Sequence, residues 1–530
     1  MRSTVLPLGF GLLWLLACGS SEARDPSPYE ACKAAQAAVG QGTGPACCAD
    51  SECAEGQICD FNYLCSVMGD HSVECSGWSG SRACLDPCAD DGSCAEAGLT
   101  CVEREQFQGG DYAPTYRLCV PEVREGDRPV PRVGREQRGV YTVVWLAGTP
   151  LEMGRQQGTL LHDELAAGVQ AIENDPLLKA MFAMARSAGL VATAEAMSLP
   201  EVVEECEGLV ETAGDTGWSM EHCLVLNFGD VVSEVLAFGK PTNAQIEPGC
   251  SQIVVSGEAT ADGRLYHART LDWSVIRYMV DYPVVFVRQP TGGIAHVIVG
   301  FPANLSPYQG LNAKGLVLAS NQVDPRDRTL FDVTGQSHVQ MQARLLATAS
   351  TLAEAHDAYL AMDHMSFESL VGSDPTGGAV FEVNPTRSAV REQVDGVVMA
   401  TNHYLAADSD PYDEEPSKGS VRRLTRLRQL VPPDGAETLY GTFTPEVLAR
   451  VLRDRVNPDD GTSSPAGEVD DGRSLATNGA LYQVIFDPTG LRFWVAAGAL
   501  PVPEQPMTGF SLAELLKLKG YDAFPTHDLP

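Results

Sequence analysis

Ile246-Glu247-Pro248-Gly249-Cys250-Ser251-Gln252-Ile253-Val254-Val255 sets a lone cysteine, preceded by glycine, at the head of an apolar, partly β-branched run. A short run of this kind, bounded by Pro-Gly, reads as a strand that begins at Cys250. Asp262-Gly263 then reads as a turn, and Arg264 to Trp273 (RLYHARTLDW) returns as a second strand carrying Arg269 and Asp272. Such a hairpin gathers a thiol, a guanidinium and a carboxylate at one end. If the Gly249–Cys250 bond were cut, the new α-amine would titrate near pH ~8 and would serve as the base for its own side chain.

Working outward, the hydrophobic period divides the chain at this point. Upstream, Val140 to Trp145 reads as a strand, followed by helical patterning from Pro150 to about Met197, from Pro200 to Ala213 and from Ser219 to Leu236. Downstream come three hairpin signals: Pro283–Gln289 with Ile294–Phe301 around Thr291-Gly292-Gly293, Ala379–Val383 with Ala389–Val394 around Asn384-Pro385-Thr386, and Leu481–Phe486 with Arg492–Ala497 around Asp487-Pro488-Thr489-Gly490. Helical stretches at Ser337–Met362, Arg422–Leu430 and Pro445–Arg455 lie between them. Antiparallel hairpins with interposed helices predict an α+β layered sandwich rather than a doubly wound parallel sheet.

The chain of 530 residues is long enough for two to four domains. With Lys+Arg 37 against Asp+Glu 70, its net charge of −33 disfavours nucleic acid and anionic lipid through simple repulsion. Arg2 followed by the apolar run Val5–Leu16 reads as a signal-peptide core, too short to span a bilayer as a mature helix. Leu15-Leu16-Ala17-Cys18 resembles a bacterial lipobox, which predicts export and lipid anchoring at Cys18 in the outer membrane or cell envelope.

Twelve of the sixteen cysteines, from Cys32 to Cys119, crowd one segment poor in aliphatic residues, an even set suited to disulfides in an oxidising compartment. Within it, Cys48-Ala-Asp-Ser-Glu-Cys53 with Cys59 and Cys65 echoes Cys88-Ala-Asp-Asp-Gly-Ser-Cys94 with Cys101 and Cys119. Cys206 and Cys223 can pair across a helical hairpin, which leaves Cys250 as the odd thiol, a flag for reactivity. The expected order is a signal peptide (1–18), a tether (19–29), a cysteine-rich module (30–121) and a linker (122–138), then a helical part (139–249) and a part headed by the nucleophile (250–530).

Seven further pieces carry a resemblance in order along the chain: Leu151-Glu-Met-Gly-Arg-Gln-Gln-Gly158, Gly249-Cys250-Ser251, Arg269-Thr-Leu-Asp272-Trp273, Gly310-Leu-Asn-Ala-Lys-Gly-Leu316, Thr401-Asn402-His403-Tyr404, Ser420-Val-Arg-Arg423 and Leu481-Tyr-Gln-Val-Ile-Phe-Asp-Pro488. From about Tyr141 onward the chain resembles the autoproteolytic acyltransferase/hydrolase family of N-terminal nucleophile enzymes, which includes isopenicillin N acyltransferase and is more distantly similar to choloylglycine hydrolases and acid ceramidase. The resemblance implies an αββα four-layer sandwich, preceded here by the small disulfide-rich module, and self-cleavage between Gly249 and Cys250.

It also implies roles. Cys250 is the nucleophile and its α-amine the base; Asp272 orients the ammonium; Arg269 lowers the thiol pKa. Asn402 donates to the oxyanion, and Arg423 lies near the cleavage site, with Arg422 adjacent. Asn321 offers a main-chain N–H to the oxyanion by looser analogy, and His403 takes a supporting place beside Asn402. Thr270 stands where relatives have Asn, and Asp454-Arg455 where they have Asp-His, so the substrate does not carry over. No metal or diffusible cofactor is implied.

The expected activity is hydrolysis or acyl transfer on a linear amide of a small molecule, through a thioester. Against it stand a catalytically silent surface-binding lipoprotein, and a lipid amidase resembling ceramidase. The sequence names no partner for the cysteine-rich module.

Overall fold

The computed structural model divides at Arg128 and Pro129 into two units. It describes residues 131–228, 249–272, 277–323, 331–406, 416–465, 474–521 and 524–530 of the second unit, and four strands of the first. Those four are β1 (Ile58–Val67), β2 (Val73–Leu85), β3 (Leu99–Glu105) and β4 (Thr115–Pro121). They form two antiparallel hairpins whose registers set Cys59 opposite Cys84, Cys65 opposite Cys75, and Cys101 opposite Cys119. The expected signal peptide, Cys18 and the tether lie outside the described residues, as does side-chain pairing within the cysteine-rich module.

The second unit holds β5 (Gly134–Arg138), β6 (Tyr141–Gly148), β7 (Ser251–Gly257), β8 (Gly263–Asp272), β9 (Val284–Pro290), β10 (His296–Gly300), β11 (Gln309–Asn312), β12 (Val317–Gln322), β13 (Glu368–Asp374), β14 (Gly377–Asn384), β15 (Arg387–Glu392), β16 (Val397–Ala400), β17 (Ala480–Asp487), β18 (Arg492–Ala496) and β19 (Thr508–Ser511). One sheet runs β15-β14-β13-β12-β11-β10-β9-β6-β5 and the other β16-β7-β8-β17-β18-β19. The three predicted hairpins are the antiparallel pairs β9–β10, β14–β15 and β17–β18, whereas β6 and β9 run parallel.

Strand alternation shows how the layers stack. Along β6, Val143 and Trp145 pack with Val285 and Val287 of β9 and with Val484 and Phe486 of β17, in the space between the sheets. Their neighbours Val144 and Leu146, with Phe286, turn to the opposite face, against helices that supply Leu165, Leu209 and Leu345. In the six-stranded sheet Ile253, Tyr266 and Ala268 face outward, against Leu427, Leu448 and Leu452 of the helices Lys418–Leu430 and Pro445–Leu452. Helix, sheet, sheet, helix is the αββα order that was expected. Strands covered on both faces lose polar alternation, which is why β6 reads as a near-continuous apolar run.

The helical layer before the nucleophile starts cleanly. Thr149 and Glu152 form a capping box on the helix Pro150–Leu160. Gly154 and Gly158 then let that helix close on the helix Pro200–Ala213, since a β-carbon at Gly154 would stand 2.0 Å from the Glu205 carbonyl oxygen. Cys206 and Cys223 are disulfide-bonded and join that second helix to Met220–Leu226.

Two boundaries move. The stretch expected as linker to residue 138 ends in β5, an edge strand whose exposed Arg135 and Gln137 face solvent while its backbone pairs with β6. Charge marked it as linker, but an edge strand needs only backbone partners and one covered face. The helix expected over 337–362 is two, His338–Thr348 and Leu352–Leu360, the second capped by Thr351.

Candidate functional site

Cys250 stands where β7 begins. The β7–β8 register sets Ser251 opposite Thr270 and Gln252 opposite Arg269, so the end of β8 that carries Asp272 lies beside the thiol. Cys250 Sγ donates to the Asp272 carbonyl oxygen at 3.8 Å and accepts from Arg269 Nη2 at 3.7 Å. It is buried, and it is the free cysteine among the described residues.

Arg269 faces the space between the sheets and is fully buried. Its guanidinium donates to the Tyr308 carbonyl, to Gln309 Oε1 at 2.8 Å and to the Ser320 carbonyl at 2.7 Å. Burial pushes the Cys250 thiol up; Arg269 pulls it down, the Asp272 carboxylate pushes it up again, and the upward push wins. The lowering expected of Arg269 is therefore present in sign but outweighed in the uncut chain.

Gly249 abuts the Asp272 carboxylate. A β-carbon there would lie 1.9 Å from Asp272 Oδ2 and 2.7 Å from Asp272 Cβ and Cγ. Its φ is not in the left-handed region, so glycine stands here for room and not for backbone freedom.

Asn402 follows β16 on a short loop. Its main-chain N–H donates to Ser420 Oγ at 2.9 Å and its Nδ2 to the Gln322 carbonyl at 2.9 Å. Its Oδ1 accepts from Arg423 Nη2 at 2.9 Å, while Arg423 Nη1 donates to the Cys250 carbonyl and to Ser251 Oγ at 3.0 Å. Because a guanidinium only donates and a carbonyl only accepts, the Asn402 amide is fixed with Oδ1 toward Arg423 and its NH2 toward the Gln322 carbonyl, which takes one of its two N–H bonds. Arg423 is buried, whereas Arg422 bonds to Asp459 at 2.6 Å on the partly exposed helix face; Arg423 is the arginine that enters the site.

Asn321, on β12, reaches the same loop differently. Its Oδ1 accepts from Gln252 Nε2 at 2.7 Å and its Nδ2 donates to the Thr401 carbonyl at 3.1 Å. The ring Nδ1 of His403 meets Ser420 Oγ at 2.7 Å and Thr401 Oγ1 at 3.2 Å. Burial lowers His403 to about 4, so it buttresses the Asn402 loop as a neutral ring. Asp454 accepts from Arg426 at 2.9 Å, and Thr270 from Gln483 Nε2 at 3.2 Å.

Sequence reasoning missed Gln252, His267 and Gln309. A signal existed for His267: in RLYHART it alternates with Tyr266 and Ala268, on the same face as Arg269.

This layered fold and this cluster are what the resemblance to N-terminal-nucleophile amidases and acyltransferases implies. The family model described as acyl-coenzyme A:6-aminopenicillanic acid acyl-transferase matches residues 259–498, a span that includes Arg269, Asp272, Asn321, Asn402 and Arg423 and begins just after Cys250. Over those residues the resemblance to that family is shown. No curated protein sequence matches the chain.

Among solved structures, the chain is similar to an N-acylethanolamine-hydrolyzing acid amidase ortholog from Caenorhabditis elegans, with 16% identity, 48% of this chain and 96% of that chain covered, and a TM-score of 0.34. It is similar to penicillin V acylase from Agrobacterium tumefaciens, with 17% identity, coverage of 51% and 88%, and a TM-score of 0.34. It is also similar to a mutant of conjugated bile acid hydrolase from Clostridium perfringens, with 13% identity, coverage of 50% and 93%, and a TM-score of 0.30.

Proposed function

We propose that this is an exported, lipid-anchored amidohydrolase that cuts itself between Gly249 and Cys250 and then hydrolyses linear amide bonds of small molecules through a thioester on Cys250. What carries this reading is the convergence of Cys250, Arg269, Asp272, Asn402 and Arg423 at one end of the β7–β8 hairpin.

In maturation, Cys250 Sγ attacks the Gly249 carbonyl carbon, the Gly249–Cys250 C–N bond breaks, and the nitrogen gains a proton to become the free amine. Water then hydrolyses the resulting thioester. The side-chain-free Gly249 lets this carbonyl lie close, and Asp272 beside it accepts hydrogen bonds from the ammonium that forms. A cation at that point opposes the burial that raises the thiol.

In turnover, Cys250 Sγ attacks the substrate carbonyl while its proton passes to the α-amine. Asn402 Nδ2, with the Asn321 main-chain N–H as a second donor, takes the developing oxyanion; loss of one such donor costs on the order of 100-fold in rate or more. The α-ammonium protonates the leaving nitrogen, the C–N bond breaks, and water, deprotonated by the α-amine, hydrolyses the thioester. Hydrolysis is preferred to transfer because an exported enzyme meets water and little acyl-coenzyme A.

Intact-mass analysis with N-terminal sequencing, on wild type beside Cys250→Ala, tests the reading. The wild type should yield a chain starting Cys-Ser-Gln-Ile, and the variant should stay whole. An uncut wild type with its fold intact sinks it.

A further inference from the structure

Besides Arg269 and Gln309, a polar seam runs between the two sheets and ends at the site. Gln252, His267, Asn321 and Ser373 occupy it, from β7, β8, β12 and β13, each buried. They form one chain of hydrogen bonds. Ser373 Oγ meets His267 Nδ1 at 3.0 Å, and His267 Nε2 meets Gln252 Oε1 at 2.8 Å. Gln252 Nε2 meets Asn321 Oδ1 at 2.7 Å and the Ala319 carbonyl at 3.0 Å, and Asn321 Nδ2 meets the Thr401 carbonyl at 3.1 Å.

Two main-chain carbonyls fix the direction of every bond, because a carbonyl oxygen only accepts. The Ala319 carbonyl requires the NH2 of Gln252 to face it, so the Gln252 oxygen faces His267. The Thr401 carbonyl requires the NH2 of Asn321, so the Asn321 oxygen faces Gln252. His267 must then carry its proton on Nε2, and its bare Nδ1 accepts from the Ser373 hydroxyl. A second proton on the ring is disfavoured: burial, with Arg269 adding to it, lowers His267 to about 3. The chain terminates on the carbonyl of Thr401, the residue directly before Asn402.

We propose that His267 and Gln252 are positioning residues: through Asn321 they hold the Thr401–Asn402 peptide of one loop at a fixed distance from β7, the strand that Cys250 immediately precedes. The inference rests on the amidohydrolase reading. The nucleophile enters β7 two residues before Gln252, and the oxyanion donor follows Thr401 by one residue, so the seam is a ruler between the attacking atom and the group that receives the oxyanion charge. A shift of about 1 Å there costs on the order of 100-fold in rate.

The test uses three substitutions that separate the two ring nitrogens, in the full chain, with a panel of N-acyl 4-nitroanilides as substrate. His267→Phe keeps the ring and removes both nitrogens. His267→Gln supplies an NH2 in the place of Nε2, and His267→Asn supplies a polar atom only near Nδ1. Positioning predicts that kcat falls about 10- to 100-fold in the Phe and Asn variants with KM within about threefold of wild type, and that Gln restores kcat to within about fivefold.

A Phe variant with wild-type kcat overturns the proposal, as does restoration by Asn and not by Gln. Should the Phe variant not fold, the Gln and Asn pair still decides. Independently of activity, 15N-detected NMR of the wild type should show the Nε2–H tautomer for His267, and an Nδ1–H tautomer refutes the seam. A wild type that matures yet hydrolyses none of the panel counts against the amidohydrolase reading, while the tautomer still answers for the seam.

Discussion

Replacing Gly249 by alanine isolates the steric demand at the proposed scissile bond. The new β-carbon would sit 1.9 Å from Asp272 Oδ2, whereas ordinary contact begins near 3.4 Å, so the Gly249 main chain or the carboxylate must retreat by 1.5 Å. Backbone conformation contributes little to this penalty, because Gly249 is outside the positive-φ set. A misplacement of this size at a reacting carbonyl costs on the order of 100-fold or more. The time course of chain scission by intact mass, from freshly folded uncut protein, should therefore be slowed at least about 100-fold. Gly214→Ala is the control: the nearest atom to its added carbon is Val210 Cγ1 at 3.8 Å, and its cleavage should match wild type. Cleavage of Gly249→Ala at the wild-type rate, with Cys-Ser-Gln-Ile at the new terminus, would refute the reasoning.

Other outcomes follow from the same geometry. Arg423→Lys places one ammonium where a fork now spans the Cys250 carbonyl and Asn402 Oδ1, so kcat for amide hydrolysis should fall about 10-fold or more, while Arg422→Lys should leave it unchanged. The Cys206–Cys223 disulfide closes a loop with a sequence separation of 17 and lies wholly before the proposed cut, so Cys206→Ser with Cys223→Ser should lower stability by roughly 3 kcal/mol. For the same reason, the two chains of matured protein should separate on a denaturing gel without reductant. Burial depresses His267, His296 and His338 to about 3 each, below the ordinary 6.5, so the unfolded state binds more protons between those values. Their contribution to stability is complete above pH 6.5 and is lost as pH falls toward 3, at about 1.4 kcal/mol per histidine per pH unit. Denaturant midpoints at pH 7 and pH 5 should differ sharply, and equal midpoints would contradict the burial of these rings.

How much of this was legible in the sequence depends on range. Hairpins were legible because turn chemistry is local: Thr291-Gly292-Gly293 joins β9 to β10, and Asp487-Pro488-Thr489-Gly490 joins β17 to β18. The parallel pairing of β6 with β9 was not, since well over a hundred residues separate those strands and no turn records their meeting. Charge misled at β5, where an edge strand tolerates Arg135 and Gln137 on its open face. Within the site, Arg269 and Asp272 share β8 with a visible spacing, and the motif order pointed to Asn402 and Arg423. Gln309 shows no such spacing. It matters because Arg269 needs an acceptor across the gap between the sheets, and only the packing of the sheets reveals which residue faces it.

That packing also explains why a fold with two stacked sheets suits the proposed chemistry. Cys250 and Arg269 belong to one sheet, while the groups that hold Arg269, the Ser320 carbonyl and Gln309, belong to the other. A buried guanidinium is tolerable when its donors are met, and these acceptors meet both terminal nitrogens without neutralising its charge. A carboxylate in their place would satisfy the same donors and cancel the field at the thiol. Neutral acceptors keep Arg269 cationic toward Cys250 Sγ at 3.7 Å, so the attraction for a thiolate survives burial. Replacing Gln309 by glutamate would set this against the alternative that Gln309 merely fills space: the thiol's alkylation rate at fixed pH should drop in Gln309→Glu, although the new carboxylate bonds Arg269 more strongly than the amide does. An unchanged rate would mean that the cation does not act on the thiol.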